Sequence, residues 1–196
     1  MPHPDGLPES REDAIELLRT YTESPQLVKH ALAVEAALAA YAGHFHAPGE
    51  LWARTGLLHD LDYERWPEEH PHRGVALLAE RGYPEAVLHA IRAHADGTVP
   101  RESLLDRALF AVDELTGFLA AVALVRPDRR IDQVTFGSVR KKMKDKSFAR
   151  GVDREDLERS AQELGVPFQE HVERVIGAMR GIASELELDG RAASGR

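Results

Sequence analysis

No stretch of this chain alternates apolar and polar residues with the period of two that a half-buried strand needs, and no Asn-Gly hairpin dipeptide is present. Apolar residues recur instead at spacings of three and four, the period of a helix with one buried face. That restricts the chain to an all-α fold, and the polar residues interrupting the stripes become informative. Leu27, Val34, Leu38 and Tyr41 form one stripe, and His30 falls on it. Val87, Ala90 and Ile91 lead to His94 three residues on. Leu105, Leu109, Val112 and Thr116 mark the inward side of the longest helix, with Asp113 beside them. A fourth helix ends in His59-Asp60, directly behind Leu57-Leu58. Polar side chains on a buried face need partners, and aspartate is almost never buried alone. Imidazole nitrogen and carboxylate oxygen are metal ligands, and a helical bundle can bring such groups together between its helices.

The helices are expected near residues 12–22 (capped by Ser10), 24–41 (Ser24 capping, Pro25 at the first helical position), 50–58, 75–81, a segment opened by Tyr83-Pro84, 103–125, 153–164 and 167–186. Residues 1–10 read as a tail with nothing to pack, residues 189–196 as a second tail, and residues 43–49 as a loop exposing His44 and His46. His89 lies off its helix's stripe and is expected at the surface. Residues 126–188 are expected to be a helical extension packed on the domain formed by residues 11–125.

At 196 residues the chain is long enough for one well-filled core. Its 25 Lys and Arg against 33 Asp and Glu give a net charge of −8, which argues against general binding to nucleic acid or to anionic membranes. There is no cysteine, so disulfides and thiolate metal sites are excluded. No apolar run approaches the ~18 residues of a membrane span and the first residues lack a signal-peptide core, so a cytoplasmic monomer or homodimer is expected. Arg140-Lys141-Lys142-Met143-Lys144-Asp145-Lys146 is the one basic run. Phe136, Val139 and Met143 supply its packing face, leaving either a solvated helix surface or a phosphate-recruiting lip.

The order His30, His59-Asp60, Asp113 resembles the signature of the HD superfamily of metal-dependent phosphohydrolases. The neighbourhoods agree: Lys29-His30, Gly56-Leu57-Leu58-His59-Asp60 and Phe110-Ala111-Val112-Asp113. His70-Pro71-His72-Arg73-Gly74 and Ala90-Ile91-Arg92-Ala93-His94 are similar to two further motifs of the binuclear branch, the first placing a ligand four residues before Gly74. Two departures stand out. Gly82-Tyr83-Pro84 lies outside the context of the cyclic-dinucleotide subgroup, and Leu61-Asp62-Tyr63-Glu64 replaces the usual residues after His-Asp.

The resemblance implies an HD-type helical bundle holding one or two divalent ions (Mn, Fe, Mg, Zn or Co) through His30, His59, Asp60, His70, His94 and Asp113, with Asp60 bridging. It implies hydrolysis of a small phosphorylated substrate, a phosphomonoester or phosphodiester of a nucleotide or similar metabolite. Two-metal sites lower the pKa of bound water and stabilise both the attacking and the leaving oxygen. Asp62, Glu64 and His72 are candidates for orienting ligands or moving protons, or are simply capping and solvated residues. Arg140, Lys141, Lys142, Lys144 and Lys146 are candidates for substrate binding. Alternatives are an HD-type di-iron oxygenase and a nucleotide sensor without turnover.

Overall fold

The computed structural model describes residues 6–95 and 99–191. The remainder of the expected tails, residues 1–5 and 192–196, lies outside the described residues. Among those described there are nine α-helices, two short 3₁₀ turns and no sheet. The helices are α1 (Arg11–Tyr21), α2 (Pro25–Phe45), α3 (Gly49–Leu58), α4 (His72–Glu80), α5 (Glu85–His94), α6 (Leu104–Leu124), α7 (Phe136–Met143), α8 (Arg154–Leu164) and α9 (Phe168–Gly181). The 3₁₀ turns are Pro67–Glu69 and Ile131–Gln133. No described helix is long and apolar enough to cross a membrane.

The capping chemistry explains most boundaries. Ser10 and Asp13 form a reciprocal capping box at α1, and Asp153 accepts from the Glu155 N–H at α8. Gly165 ends α8 in the left-handed conformation, at φ 78°. The start of α2 is different from expectation. Ser24 makes no side-chain cap; instead Glu64 Oε2 accepts from the Glu23 and Ser24 N–H groups at 2.8 and 3.1 Å.

Two loop expectations are corrected. Helix α2 runs through Gly43, His44 and Phe45 and stops only at His46, because Phe45 packs against Tyr41 and Trp52 and so extends the apolar face by a turn. The N-terminal segment does pack: Leu7 is 1% exposed, Arg54 donates to the Ser10 carbonyl, and the Tyr83 hydroxyl donates to Glu9 at 2.5 Å. At the other end, Asp189 pairs with Arg130 in an isolated antiparallel bridge.

The chain divides into two compact units, Met1–Phe110 and Ala111–Arg196, with the boundary inside α6. In the first, α2 lies along α3, and α3 also meets α1 and α5. Gly56 makes the close approach of α2 and α3 possible: a Cβ there would stand 2.8 Å from the Val34 carbonyl oxygen and 2.9 Å from the Glu35 nitrogen. Val34 is one turn past His30, and Gly56 is one turn before His59, so this contact sets the register of the two histidines. In the second unit α9 packs on α7, α8 and the turn Ile131–Gln133, around Val139, Leu157, Val172, Val175 and Met179.

Candidate metal centre

Four histidines of the first unit converge on one aspartate. His30 comes from α2, His59 caps the C-terminus of α3, Asp60 follows it, His70 ends the turn Pro67–Glu69, and His94 closes α5. The two carboxylate oxygens of Asp60 divide the rings between them. Oδ2 lies 3.8 Å from His30 Nε2 and 3.4 Å from His59 Nε2; Oδ1 lies 3.5 Å from both His70 Nε2 and His94 Nε2. These separations are longer than a charge-assisted N–H···O bond of about 2.7–2.9 Å. They match the spacing of ligand atoms that share an ion at about 2.0–2.2 Å each. The donor atoms of His30, His59 and Asp60, and those of Asp60, His70 and His94, each fall within 4.8 Å of one another.

The rings are presented by their other nitrogens. His59 Nδ1–H donates to the Gly56 carbonyl at 2.8 Å, and His94 Nδ1–H donates to the Ile91 carbonyl at 2.5 Å. Both acceptors lie three residues back in a last helical turn, where carbonyls have no intrahelical partner. His70 Nδ1 contacts Asp62 Oδ1 at 2.7 Å, and Asp62 Oδ2 accepts from the Gly74 N–H at 2.6 Å. A carbonyl can only accept, so His59 and His94 each carry a proton on Nδ1, and in the neutral ring Nε2 keeps its lone pair toward Asp60. That outer layer is what metal-binding histidines require. Burial opposes ionisation of Asp60, yet positive charge and proton donation from the adjoining His59 and His94 rings, when these are protonated, outweigh it and hold its carboxyl well below the ordinary value.

Of the remaining candidates, His72 and Glu64 do not join this cluster. His72 opens α4 and is exposed, so of the pair His70 and His72 only His70 joins the cluster. The Glu64 carboxylate is taken up at the start of α2. His89, expected at the surface, is partly buried with Nδ1 3.0 Å from Asp106, whose carboxylate also accepts from the Glu102 and Ser103 N–H groups. Asp113 lies in α6, in the second unit, half-buried. The basic run also belongs to the second unit, on α7 and the turn after it; Arg140 pairs with Glu158, and Lys142 sits 4.7 Å from the Phe148 ring.

Residues 27–117 match the family model described as the HD domain, a stretch that contains His30, His59, Asp60, His70, His94 and Asp113. That stretch, a little under half of the chain, is what it shares with the HD domain. Comparison with curated proteins and with solved structures finds no match. HD domains bind divalent metals, and the imidazole–carboxylate clusters of this chain fit such a site. The carbonyl acceptors of Gly56 and Ile91 were not legible beforehand, since a backbone group leaves no trace in residue type.

Proposed function

We propose that the chain is a metal-dependent phosphohydrolase that cleaves a phosphomonoester or phosphodiester of a nucleotide or similar small metabolite. The observation that carries the reading is the division of four imidazoles between the two oxygens of Asp60. One carboxylate facing a histidine pair on each side suits a bridging ligand. His30 and His59 would hold one ion with Asp60, and His70 and His94 the other. The motif order adds Asp113 as a further ligand to the first. When bound, such ions supply Lewis-acid polarisation of a phosphoryl group and activation of water near neutral pH.

The protein's part is orientation and charge. Two divalent ions among four neutral imidazoles and two carboxylates would keep a net positive charge, which favours a phosphate anion over a neutral ligand. The Gly56 and Ile91 carbonyls hold the His59 and His94 rings in one tautomer, and Asp62 does the same for His70. Ligands held in place before the substrate arrives need no reorganisation when charge develops at the reacting phosphorus.

The test is metal analysis of protein purified without added metal, followed by phosphate release across a panel of nucleotides and sugar phosphates under Mn, Fe, Mg, Zn and Co. About two ions per chain and metal-dependent release from at least one ester are expected. Bound iron with O₂ consumption and no phosphate release would replace the reading with an oxygenase.

A further inference from the structure

Beside the histidine cluster stands a group the metal chemistry does not use. Trp66 opens the turn that ends at His70, and its N–H donates to the Asp62 carbonyl at 2.8 Å. Two guanidinium groups lie against it: Arg65 Cζ is 5.3 Å and Arg73 Cζ 5.1 Å from the Trp66 ring centroid. Tyr21 backs the stack, 5.5 Å from Trp66 and 5.8 Å from Arg65 Cζ. Cation–aromatic contact of this kind stabilises a surface modestly, about 0.5–1 kcal/mol each, and that alone would explain one arginine.

Two observations ask for more. Arg65 and Arg73 are exposed and, among the described residues, neither has a carboxylate within ion-pairing distance nor a protein hydrogen-bond acceptor. Arg11, Arg92, Arg126, Arg130, Arg140 and Arg174 each pair with a carboxylate, whereas Arg65 and Arg73 do not, although Glu64, Glu68 and Glu69 are close in sequence to the stack. Further, the stack is built on the segment that carries Asp62 and His70, with Arg73 three residues after His70 and Tyr63 edge-on to the His70 ring at 5.4 Å. A guanidinium held over a ring without a carboxylate partner keeps N–H donors to offer, and two such forks on one indole are suited to oxygen anions.

We infer that Arg65 and Arg73, held on Trp66, form an anion subsite that takes a second phosphate of the substrate while the metal cluster takes the one to be cleaved. The inference rests on the phosphohydrolase reading for the identity of the anion. It narrows the substrate class to molecules carrying more than one phosphate, such as pyrophosphate-containing or doubly phosphorylated metabolites.

The experiment is calorimetric titration of the metal-loaded protein with inorganic pyrophosphate, comparing wild type with Arg65→Gln/Arg73→Gln, Arg65→Lys/Arg73→Lys and Trp66→Leu. The Gln pair should raise Kd at least tenfold with unchanged metal content and circular dichroism. The Lys pair should recover only part of the affinity, because charge is restored without the fork, and Trp66→Leu should weaken binding with both arginines present. Equal Kd in wild type and the Gln pair overturns the subsite, as does full recovery by the Lys pair. Turnover of p-nitrophenyl phosphate, measured on the same samples, separates the two claims. Turnover with an unchanged pyrophosphate Kd removes the subsite and leaves the hydrolase. A raised Kd with no ester hydrolysed by wild type keeps an anion site and removes the hydrolase.

Discussion

Asp62, fully buried, reaches across eight residues of chain to place Oδ1 2.7 Å from Nδ1 of His70. Its other oxygen is held by the Gly74 N–H, and a Cβ on Gly74 would come within 3.1 Å of the Asp62 carboxylate. The histidine, the aspartate and the glycine therefore act as one unit: the glycine leaves room for the carboxylate, and the carboxylate orients the ring.

Weakening that unit should weaken metal binding without removing a ligand. Asp62→Asn keeps the shape but loses the charge, and outer-layer changes of this type cost about 10–100-fold in metal affinity. Gly74→Ala should act in the same direction by displacing the carboxylate. Competition titration with a chromogenic chelator measures both; wild-type affinity in the two variants would reduce Asp62 to a structural residue.

Stoichiometry separates the two halves of the cluster. Saturated wild type should hold about two ions per chain. His94→Ala should bring the count to about one, whereas His59→Ala or Asp60→Ala should abolish metal retention and hydrolysis together while helical content persists. Plasma emission analysis after desalting gives the counts, and a wild-type value of one that is unmoved by His70→Ala or His94→Ala would remove the second site.

The helix contact that sets the register can be tested at Gly56. Gly56→Ala forces a methyl into the backbone of α2, and overpacking of this kind costs about 1–3 kcal/mol. Urea unfolding should show that loss, and metal content should fall with it because His30 and His59 are carried by the two separated helices. A stability equal to wild type would show that α2 and α3 can shift without consequence.

Acid sensitivity should have one source outside the cluster. His171, in α9, is buried and donates from Nε2 to the Ala111 carbonyl at 2.9 Å. Burial lowers its pKa from 6.5 to about 4. The unfolded chain takes up a proton below about pH 6.5 that the native state refuses until about pH 4, so stability rises with pH across that interval and is complete above it. The difference of about 2.5 units corresponds to about 3 kcal/mol lost between pH 6.5 and 4. His171→Gln, which keeps a donor and cannot titrate, should flatten that part of the acid slope in urea titrations at pH 7, 5.5 and 4.5; an unchanged slope would show that His171 does not govern it.

The sequence by itself determined the helical class, the buried stripes and the identity of the converging groups. Spacing alone put His30 on the stripe of Val34 and Tyr41, and it put His59-Asp60 at the end of an apolar helix; the family order then selected His70 over His72. Helix periodicity and capping are local, so they can be read residue by residue. Tertiary structure decided the rest. Which oxygen of Asp60 faces which histidine depends on how closely α2 approaches α3 at Gly56. That Glu64, rather than Ser24, satisfies the start of α2 depends on a contact across forty residues of chain. The tautomers of His59 and His94 are set by backbone carbonyls, and the stacking of Arg65 and Arg73 on one indole is set by the turn between Asp62 and His70. Those relationships join groups distant in sequence or lacking a side chain, and neither kind leaves a periodic mark to read.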